Sequence, residues 1–188
     1  MNANADYERY DGLGLAGLVK DGSVSAAELL EAAIERVEQR NPAINAVVNR
    51  MCDQAKAAIA AGLPSGPFSG VPYLLKDIGA LYAGTITTFG SSVFRKFVPD
   101  QDTEMVVRLK QAGLVILGKT HTPEFGLSTS SESRLFGATH NPWNLEYSAG
   151  GSSGGSAAAI ASGMVPAAYA TDGGARSVSP PRAAGCSA

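Results

Sequence analysis

Residues 148–174 read Ser-Ala-Gly-Gly-Ser-Ser-Gly-Gly-Ser-Ala-Ala-Ala-Ile-Ala-Ser-Gly-Met-Val-Pro-Ala-Ala-Tyr-Ala-Thr-Asp-Gly-Gly, and this stretch decides the fold. The glycines allow a sharply folded loop, and the small side chains of residues 157–161 allow the following helix to pack deep against a sheet. The hydroxyls of Ser152 and Ser153 would lie near the amino end of that helix, where unpaired N–H groups favour negative charge. We therefore predict a reactive site at this loop.

Two other interpretations of the loop fit less well. A flexible Gly/Ser linker would not run directly into an apolar helix. Residues 150–154 match the G-x-S-x-G pattern of α/β-hydrolases, but that catalytic triad needs a histidine downstream of the serine. The two histidines, His121 and His140, both precede the loop. Chain order therefore excludes this type of triad.

The composition of the 188 residues limits the class of protein. Hydrophobic residues make up 45% and charged residues 17%, which is typical of a soluble globular domain with one core. A net charge of −2 without a basic run argues against a nucleic-acid or anionic-membrane partner. Cys52 and Cys186 suggest neither a disulfide framework nor a metal site. The acidic amino terminus is unlike a signal peptide and no apolar run reaches membrane-spanning length, so we expect a cytosolic protein.

Hydrophobic periodicity predicts helices that alternate with short apolar strands. Helices are expected at residues 12–20, from the Ser25–Glu28 capping box to Pro42, at 51–61, and from a capping Asp102 to Lys110; strands are expected at 45–48, 71–76 and 114–117. The polar segment 118–147 is expected to form a long loop; such loops often line sites, but its hydroxyls could equally be ordinary turn and cap residues, which is the commoner case. This alternation indicates an α/β fold, in which helices cover the faces of a sheet.

Two nucleotide-binding patterns also occur, and we interpret both as coincidences. Residues 113–120 match the P-loop pattern G-x-x-x-x-G-K-T, but the residues between the glycines form the predicted strand rather than a phosphate-binding loop. Residues 12–17 match G-x-G-x-x-G, but no predicted strand precedes them. Neither segment is expected to bind a nucleotide.

Four blocks of the sequence occur in an order that is typical of one enzyme family. They are Gly70-Val-Pro-Tyr-Leu-Leu-Lys-Asp77, Leu117-Gly-Lys-Thr-His-Thr-Pro-Glu-Phe125, Phe136-Gly-Ala-Thr-His-Asn-Pro-Trp143 and Gly150-Gly-Ser-Ser-Gly-Gly-Ser156. Together they resemble the amidase signature family, and their wording is closer to general amidases and cyclic-dimer hydrolases than to the A-type chain of the amidotransferases. The resemblance implies an α/β amidase-signature fold, a mixed twisted sheet flanked by helices. Residues 1–188 would be the amino-terminal part of this single domain, incomplete at its carboxy-terminal side.

The resemblance implies a Ser–cis-Ser–Lys triad, in which Lys76 is the general base and Ser152 is the bridging serine. A lysine at the end of a buried strand can lose its proton because burial disfavours the ammonium form. The neutral amine could then draw a proton from Ser152, which draws one from the nucleophilic serine. The turn 171–174 would offer N–H donors to an oxyanion. The resemblance also implies which residues bind the oxyanion or the substrate: Ser153, Gly173, Gly174 and Ala175.

The position of the nucleophile departs from the family pattern. Family members carry a serine where this chain has Arg176, and the nearest hydroxyl is that of Ser177, one residue later. Either Ser177 is a displaced nucleophile, or the reading frame slipped near codon 175. The tail 175–188 is built almost wholly of Ala, Arg, Ser, Pro, Gly and Cys, as a GC-rich gene read out of frame would give. We favour the slip and expect little amide-hydrolysing activity.

The resemblance predicts an amidase that hydrolyses a small carboxylic amide to an acid and ammonia or an amine. The reaction would pass through a serine acyl-enzyme, with Ser177 as the candidate nucleophile and with no metal or organic cofactor. Two alternatives stay open: a glutamyl-tRNA(Gln) amidotransferase A-type subunit, which frees ammonia from glutamine, and a non-catalytic truncated pseudoenzyme. No nucleic-acid or membrane partner is expected, and a homodimer is one expected assembly.

Overall fold

Helices and strands alternate along residues 7–171, the part of the chain that the structure, a computed structural model, describes. The helices are α1 (Gly12–Lys20), α2 (Ala26–Ile44), α3 (Cys52–Ala60), α4 (Glu104–Gln111) and α5 (Gly154–Ala161). The strands are β1 (Val47–Arg50), β2 (Pro72–Lys76), β3 (Val115–Thr120), β4 (Glu132–Ser133), β5 (Gly137–Ala138), β6 (His140–Asn141), β7 (Asn144–Ser148) and β8 (Ala167–Ala168). Short 3₁₀ turns cover Tyr7–Arg9, Ser92–Phe94 and Glu124–Gly126.

The main sheet is mixed, as the resemblance implies. Its strands are ordered β1-β3-β2-β8; β1 runs antiparallel to β3, whereas β2 runs parallel to both β3 and β8. Every residue of β2 and β3 is buried, which explains why both strands include continuous apolar runs. The alanine-rich α5 lies against this sheet close to β2, β3 and β8. This packing brings the loop before α5 to the ends of the two central strands.

Helix α2 begins as predicted but ends later. The Ser25 side chain accepts from the Glu28 N–H, and the Glu28 carboxylate accepts from the Ser25 N–H, which completes the capping box. The prediction that Pro42 ends the helix is wrong, because Pro42 lies within the last turn and the helix continues to Ile44. Asn45 then takes a left-handed conformation with φ 56°. Strand β1 therefore starts at Val47 rather than at Asn45.

The predicted cap of α4 is also wrong. Asp102 does not cap the helix; its carboxylate accepts from the Ala83 N–H at 2.8 Å and pairs with the Lys110 ammonium at 2.5 Å. Thr103 occupies the cap position without a side-chain hydrogen bond to the helix. The carboxylate thus connects the preceding loop to the last turn of α4, a long-range contact that the local pattern does not contain.

Strand β3 is longer than predicted and includes Gly118, Lys119 and Thr120. The P-loop pattern therefore lies on a buried strand, in agreement with its interpretation as a coincidence. The segment 118–147, expected to lack regular structure, also contains two small antiparallel pairs, β4 with β5 and β6 with β7. Within residues 7–171, no helix is both long and apolar enough to cross a membrane.

Candidate active site

The amino group of Lys76, at the end of β2, is surrounded by oxygen atoms. Its Nζ lies 2.8 Å from Ser152 Oγ and 2.8 Å from Ser153 Oγ. The hydroxyl and carbonyl oxygens of Thr171 lie 3.1 and 3.4 Å from the same nitrogen. Lys76 is only 1% exposed. The structure therefore brings the predicted base and the predicted bridging serine into direct contact inside the protein.

Ser152 and Ser153 are placed by a tightly folded loop directly before α5. The peptide bond between Gly151 and Ser152 is cis, as the resemblance implies. A Cβ atom on Gly151 would lie 2.9 Å from the Ser128 carbonyl oxygen and from backbone atoms of Ser130. The loop can approach this neighbouring segment only because residue 151 lacks a side chain.

Hydrogen bonds from two neighbouring residues hold the loop. Ser131 donates its N–H to the Gly150 carbonyl at 2.8 Å, and its hydroxyl accepts from the Gly154 N–H at 3.1 Å. Thr122 donates its hydroxyl to the Ser152 carbonyl at 3.1 Å. The polar segment 118–147 therefore contacts the loop on both sides of Ser152.

Ser153 is predicted to serve an oxyanion or the substrate, and the structure places its hydroxyl beside Lys76, the predicted base. Besides Lys76, this hydroxyl contacts Thr171: it lies 3.2 Å from the Thr171 carbonyl oxygen and 3.3 Å from the Thr171 nitrogen. The N–H of Thr171, the first residue of the predicted oxyanion turn, thus faces Ser153. We assign the Ser153 hydroxyl to the oxygen shell around Lys76, and its role toward an oxyanion stays a prediction.

A second buried lysine lies on the opposite face of the sheet, and sequence analysis missed it. Lys119 pairs with Leu75 in the register of β2 and β3, so its side chain points away from that of Lys76. Its Nζ donates to the Ile86 carbonyl at 2.6 Å and to the Thr87 hydroxyl at 2.5 Å. Burial lowers the pKa of Lys119 to about 8, an effect that the charge of Asp77 opposes.

Asp77 completes this second buried group. Both of its carboxylate oxygens accept from the Thr88 N–H at 3.1 Å, and one also accepts from the Thr88 hydroxyl. Burial raises the pKa of the Asp77 carboxyl, against the effect of the Thr88 hydrogen bonds and of the Lys119 charge. Asp77 and Lys119 therefore anchor residues 86–88 behind the strand that ends in Lys76. The sequence does contain a signal for this buried group: β3 continues beyond its apolar residues into Lys119 and Thr120.

The remaining predicted site residues lie outside the described part of the chain. They are Gly173, Gly174, Ala175 and Ser177, and Arg176 lies there too. Their roles stay predictions.

A sequence profile of the family described as Amidase matches residues 28–186, which is most of the chain. This chain belongs to the amidase family. The 6-aminohexanoate-cyclic-dimer hydrolase of Paenarthrobacter ureafaciens is 45% identical over 164 residues, which cover 86% of this chain and 33% of that protein. The A-type subunit of the glutamyl-tRNA(Gln) amidotransferase of Oleidesulfovibrio alaskensis is 41% identical over 176 residues, 91% of this chain and 36% of that protein.

Solved structures of amidase-family enzymes have the same fold as this chain. A 6-aminohexanoate cyclic dimer hydrolase in complex with substrate superposes with a TM-score of 0.81 and 45% identity, covering 85% of this chain and 33% of that one. The peptide amidase of Stenotrophomonas maltophilia superposes with a TM-score of 0.74 and 31% identity, covering 85% of this chain and 35% of that one. The amidase-family chain thus spans about a third of the length of these relatives.

Proposed function

We propose that this amidase-family chain contains the proton relay of an amide-hydrolysing site, with Lys76 as base, Ser152 as bridge and Ser177 as nucleophile. The main support is the 2.8 Å contact between Lys76 Nζ and Ser152 Oγ in a buried site. A serine hydroxyl is a weak nucleophile until a neighbouring base takes its proton. The relatives described as hydrolases and amidases support the same chemistry.

The relay accounts for each proton in amide hydrolysis. The Ser177 oxygen attacks the amide carbon while its proton passes to Ser152 Oγ, and the proton of Ser152 passes to Lys76 Nζ. When the C–N bond breaks, the proton returns through Ser152 to the leaving nitrogen, which departs as ammonia or an amine. A water molecule then attacks the serine ester and gives up a proton along the same path. When the ester C–O bond breaks, that proton returns through Ser152 to the Ser177 oxygen, and the carboxylic acid leaves.

The expected rate is low because Arg176 occupies the position where the family has its nucleophile. A hydroxyl displaced by one residue would not be aligned with N–H donors from Gly173, Gly174 and Ala175. A misplacement of about one ångström can cost about a hundredfold in rate. We therefore propose an impaired amidase whose residual activity depends on Lys76 and Ser152.

The test is hydrolysis of a simple linear amide by the purified chain and its variants. We expect turnover below the range of about 1–10³ s⁻¹ that is usual for enzymes, and loss of that turnover in Lys76→Met and Ser152→Ala. Ser156→Ala is the matched control, because Ser156 is equally buried, four residues further along, and bonded to Thr120 and Tyr169 rather than to Lys76. Equal turnover in Ser152→Ala and Ser156→Ala would contradict the relay.

A second candidate function is that of an amidotransferase A-type subunit, favoured by relatives of that description at 41–42% identity. Such a protein would release ammonia from glutamine. Hydrolysis restricted to glutamine, with co-purifying partner proteins, would support this candidate, whereas hydrolysis of unrelated linear amides would favour the general amidase. A folded chain in which a serine-directed phosphonate labels no residue would favour the pseudoenzyme instead.

Several other features of the proposed amidase also stay predictions. They are a small-molecule amide as substrate, a cytosolic location, a homodimeric assembly, and a tail 175–188 read in a shifted frame. Resequencing the gene through and beyond codon 175 tests the last of these directly.

A further inference from the structure

His121 directly follows β3 and is fully buried. Its Nδ1 lies 2.6 Å from the Thr139 hydroxyl oxygen, and its Nε2 lies 2.9 Å from the Ser133 hydroxyl oxygen. The ring of Phe136 packs edge-on, with the ring centres 5.7 Å apart. The His121 N–H donates to the Ala46 carbonyl at 2.8 Å. Both the ring and the backbone of this residue are therefore fixed.

The partners of the two hydroxyls determine the tautomer of the ring. Thr139 donates its hydroxyl proton to the Asn45 carbonyl at 2.9 Å, so its oxygen must accept a hydrogen bond from Nδ1–H. The Ser133 oxygen accepts from the Phe136 N–H at 3.1 Å, which leaves the Ser133 proton to be donated to Nε2. A neutral imidazole with its proton on Nδ1 satisfies every group.

Among the residues that the structure describes, no negative charge lies beside the ring to balance an imidazolium. The packed side chains are hydroxyls and a phenyl ring, and the charged neighbours Glu132 and Arg134 are exposed. Burial alone lowers the pKa of His121 to about 4. Protonation would also turn Nε2 from the acceptor of the Ser133 hydrogen bond into a second donor.

The segment fixed by His121 is the segment that holds the serine loop. Thr139 donates its N–H to the Ser131 carbonyl at 2.8 Å, and Ser131 bonds to Gly150 and Gly154 on either side of Ser152. On the other side, a Cβ atom on Gly155 would lie 2.5 Å from the His121 nitrogen. The serine loop and the start of α5 therefore rest on His121 and on the segment bonded to its ring.

We propose that His121, as a neutral Nδ1–H imidazole, is a positioning residue that joins the Ser131–Thr139 segment to the end of β3 and so holds Ser152 against Lys76. The proposal rests on the proposed relay for its catalytic meaning. It assigns a role to a histidine whose ring bonds to Thr139 and Ser133 rather than to Lys76 or Ser152.

The experiment is nitrogen NMR of the full chain labelled with ¹⁵N-histidine. The chain has two histidines, so His140→Gln assigns both sets of ring signals and also serves as the control substitution. We expect His121 to be neutral with its proton on Nδ1 at pH 6.5, and to gain a second ring proton only as the pH falls toward its pKa of about 4. A proton on Nε2, or a protonated ring at pH 6.5, would overturn the proposal.

The link to the serine loop is tested by amide hydrogen exchange at Gly154. Ser133→Ala leaves Nε2 without its donor, and we expect exchange at Gly154 to be about tenfold faster or more. Ser133→Thr keeps the hydroxyl and should restore slow exchange, whereas His140→Gln should leave it unchanged. Unchanged exchange at Gly154 in Ser133→Ala would overturn the proposal. Neither the NMR nor the hydrogen-exchange experiment measures amide hydrolysis. A failure of the proposed amidase activity is therefore distinguishable from a failure of this proposal.

Discussion

At the scale of single residues, the sheet holds two buried lysines in different surroundings. Lys76 faces the hydroxyls of Ser152 and Ser153, which can pass protons on. Lys119 faces a carbonyl oxygen and a threonine hydroxyl, and its electrostatic partner is the buried Asp77. Only the first arrangement places an amine beside serine hydroxyls, so we propose a chemical role for Lys76 and a structural role for Lys119.

The structural role of Lys119 predicts a large loss of stability on its removal. Lys119→Met would leave the Ile86 carbonyl without its donor and the Asp77 carboxylate without its opposite charge, at a cost of about 3 kcal/mol in the free energy of unfolding. Urea denaturation measures this cost, with the exposed Lys20→Met as the control. In an Asp77→Asn background the same substitution should cost at least about 1 kcal/mol less. Additive losses in the double variant would mean that the two groups are not coupled.

At the scale of elements, close backbone approach determines where α5 can lie. The helix begins at Gly154, and its second residue, Gly155, lies against the backbone of His121 and the Ala46 carbonyl. The composition of the loop indicates such an approach, but it does not show which neighbours are involved. That information depends on the path of the segments at 121–122 and 128–131, which are distant in sequence.

This packing predicts opposite effects for two glycine substitutions. Gly155→Ala would place Cβ 2.5 Å from the His121 nitrogen and 2.6 Å from its carbonyl oxygen, so we expect a loss of about 2 kcal/mol or more in the free energy of unfolding. Gly17, inside α1, has open space within 4 Å of the position that a Cβ atom would take. Gly17→Ala should therefore stabilise the protein by up to about 1 kcal/mol. Denaturant melts of both variants measure the difference, and equal effects would contradict the close packing of α5.

The helices and strands show which sequence signals are sufficient to predict secondary structure. The capping box at Ser25 and the apolar runs of β2 and β3 act locally, and the structure confirms these predictions. The end of α2 and the role of Asp102 were predicted wrongly, because contacts with distant residues decide them: the Asn45 side chain after α2 donates to the Phe136 and Ala138 carbonyls, and Asp102 accepts from the Ala83 N–H. Local propensity does not contain these partners.

At the scale of the whole molecule, the buried polar groups tie folding stability to pH. The pKa of His121 is lowered from 6.5 to about 4, so in this window the unfolded chain binds a proton that the folded chain does not. The stability contribution of His121 is therefore complete above pH 6.5 and is lost as the pH falls toward about 4. The full loss is on the order of 3 kcal/mol.

Urea denaturation at pH 6.5 and near pH 4 measures this loss. Carboxylates that titrate in the same range contribute equally to the wild type and to His121→Gln, so the difference between the two pH dependences isolates the histidine. We expect a smaller loss of stability on acidification in His121→Gln than in the wild type, whatever its stability at neutral pH. Parallel curves for the two proteins would contradict a buried neutral histidine.

The candidate site could be predicted in part because its groups lie in short blocks of sequence. The resemblance of their blocks to the amidase signature family named Lys76 and Ser152, and the structure places their side-chain nitrogen and oxygen 2.8 Å apart. The buried lysine at 119 and the imidazole at 121 were not assigned a role, because their partners come from segments 86–88 and 133–139. The mixed sheet brings these distant segments together, and residue spacing alone does not reveal that arrangement.

The central claim is that Lys76 and Ser152 activate a serine nucleophile, and covalent labelling tests it most directly. The folded chain is incubated with a serine-directed phosphonate, and the modified residue is located by peptide mass spectrometry. We predict one adduct, on Ser177, which forms slowly in the wild type and in Ser156→Ala and is lost in Lys76→Met and Ser152→Ala. An adduct that forms equally fast without Lys76, or no adduct on folded wild-type protein, would contradict the relay.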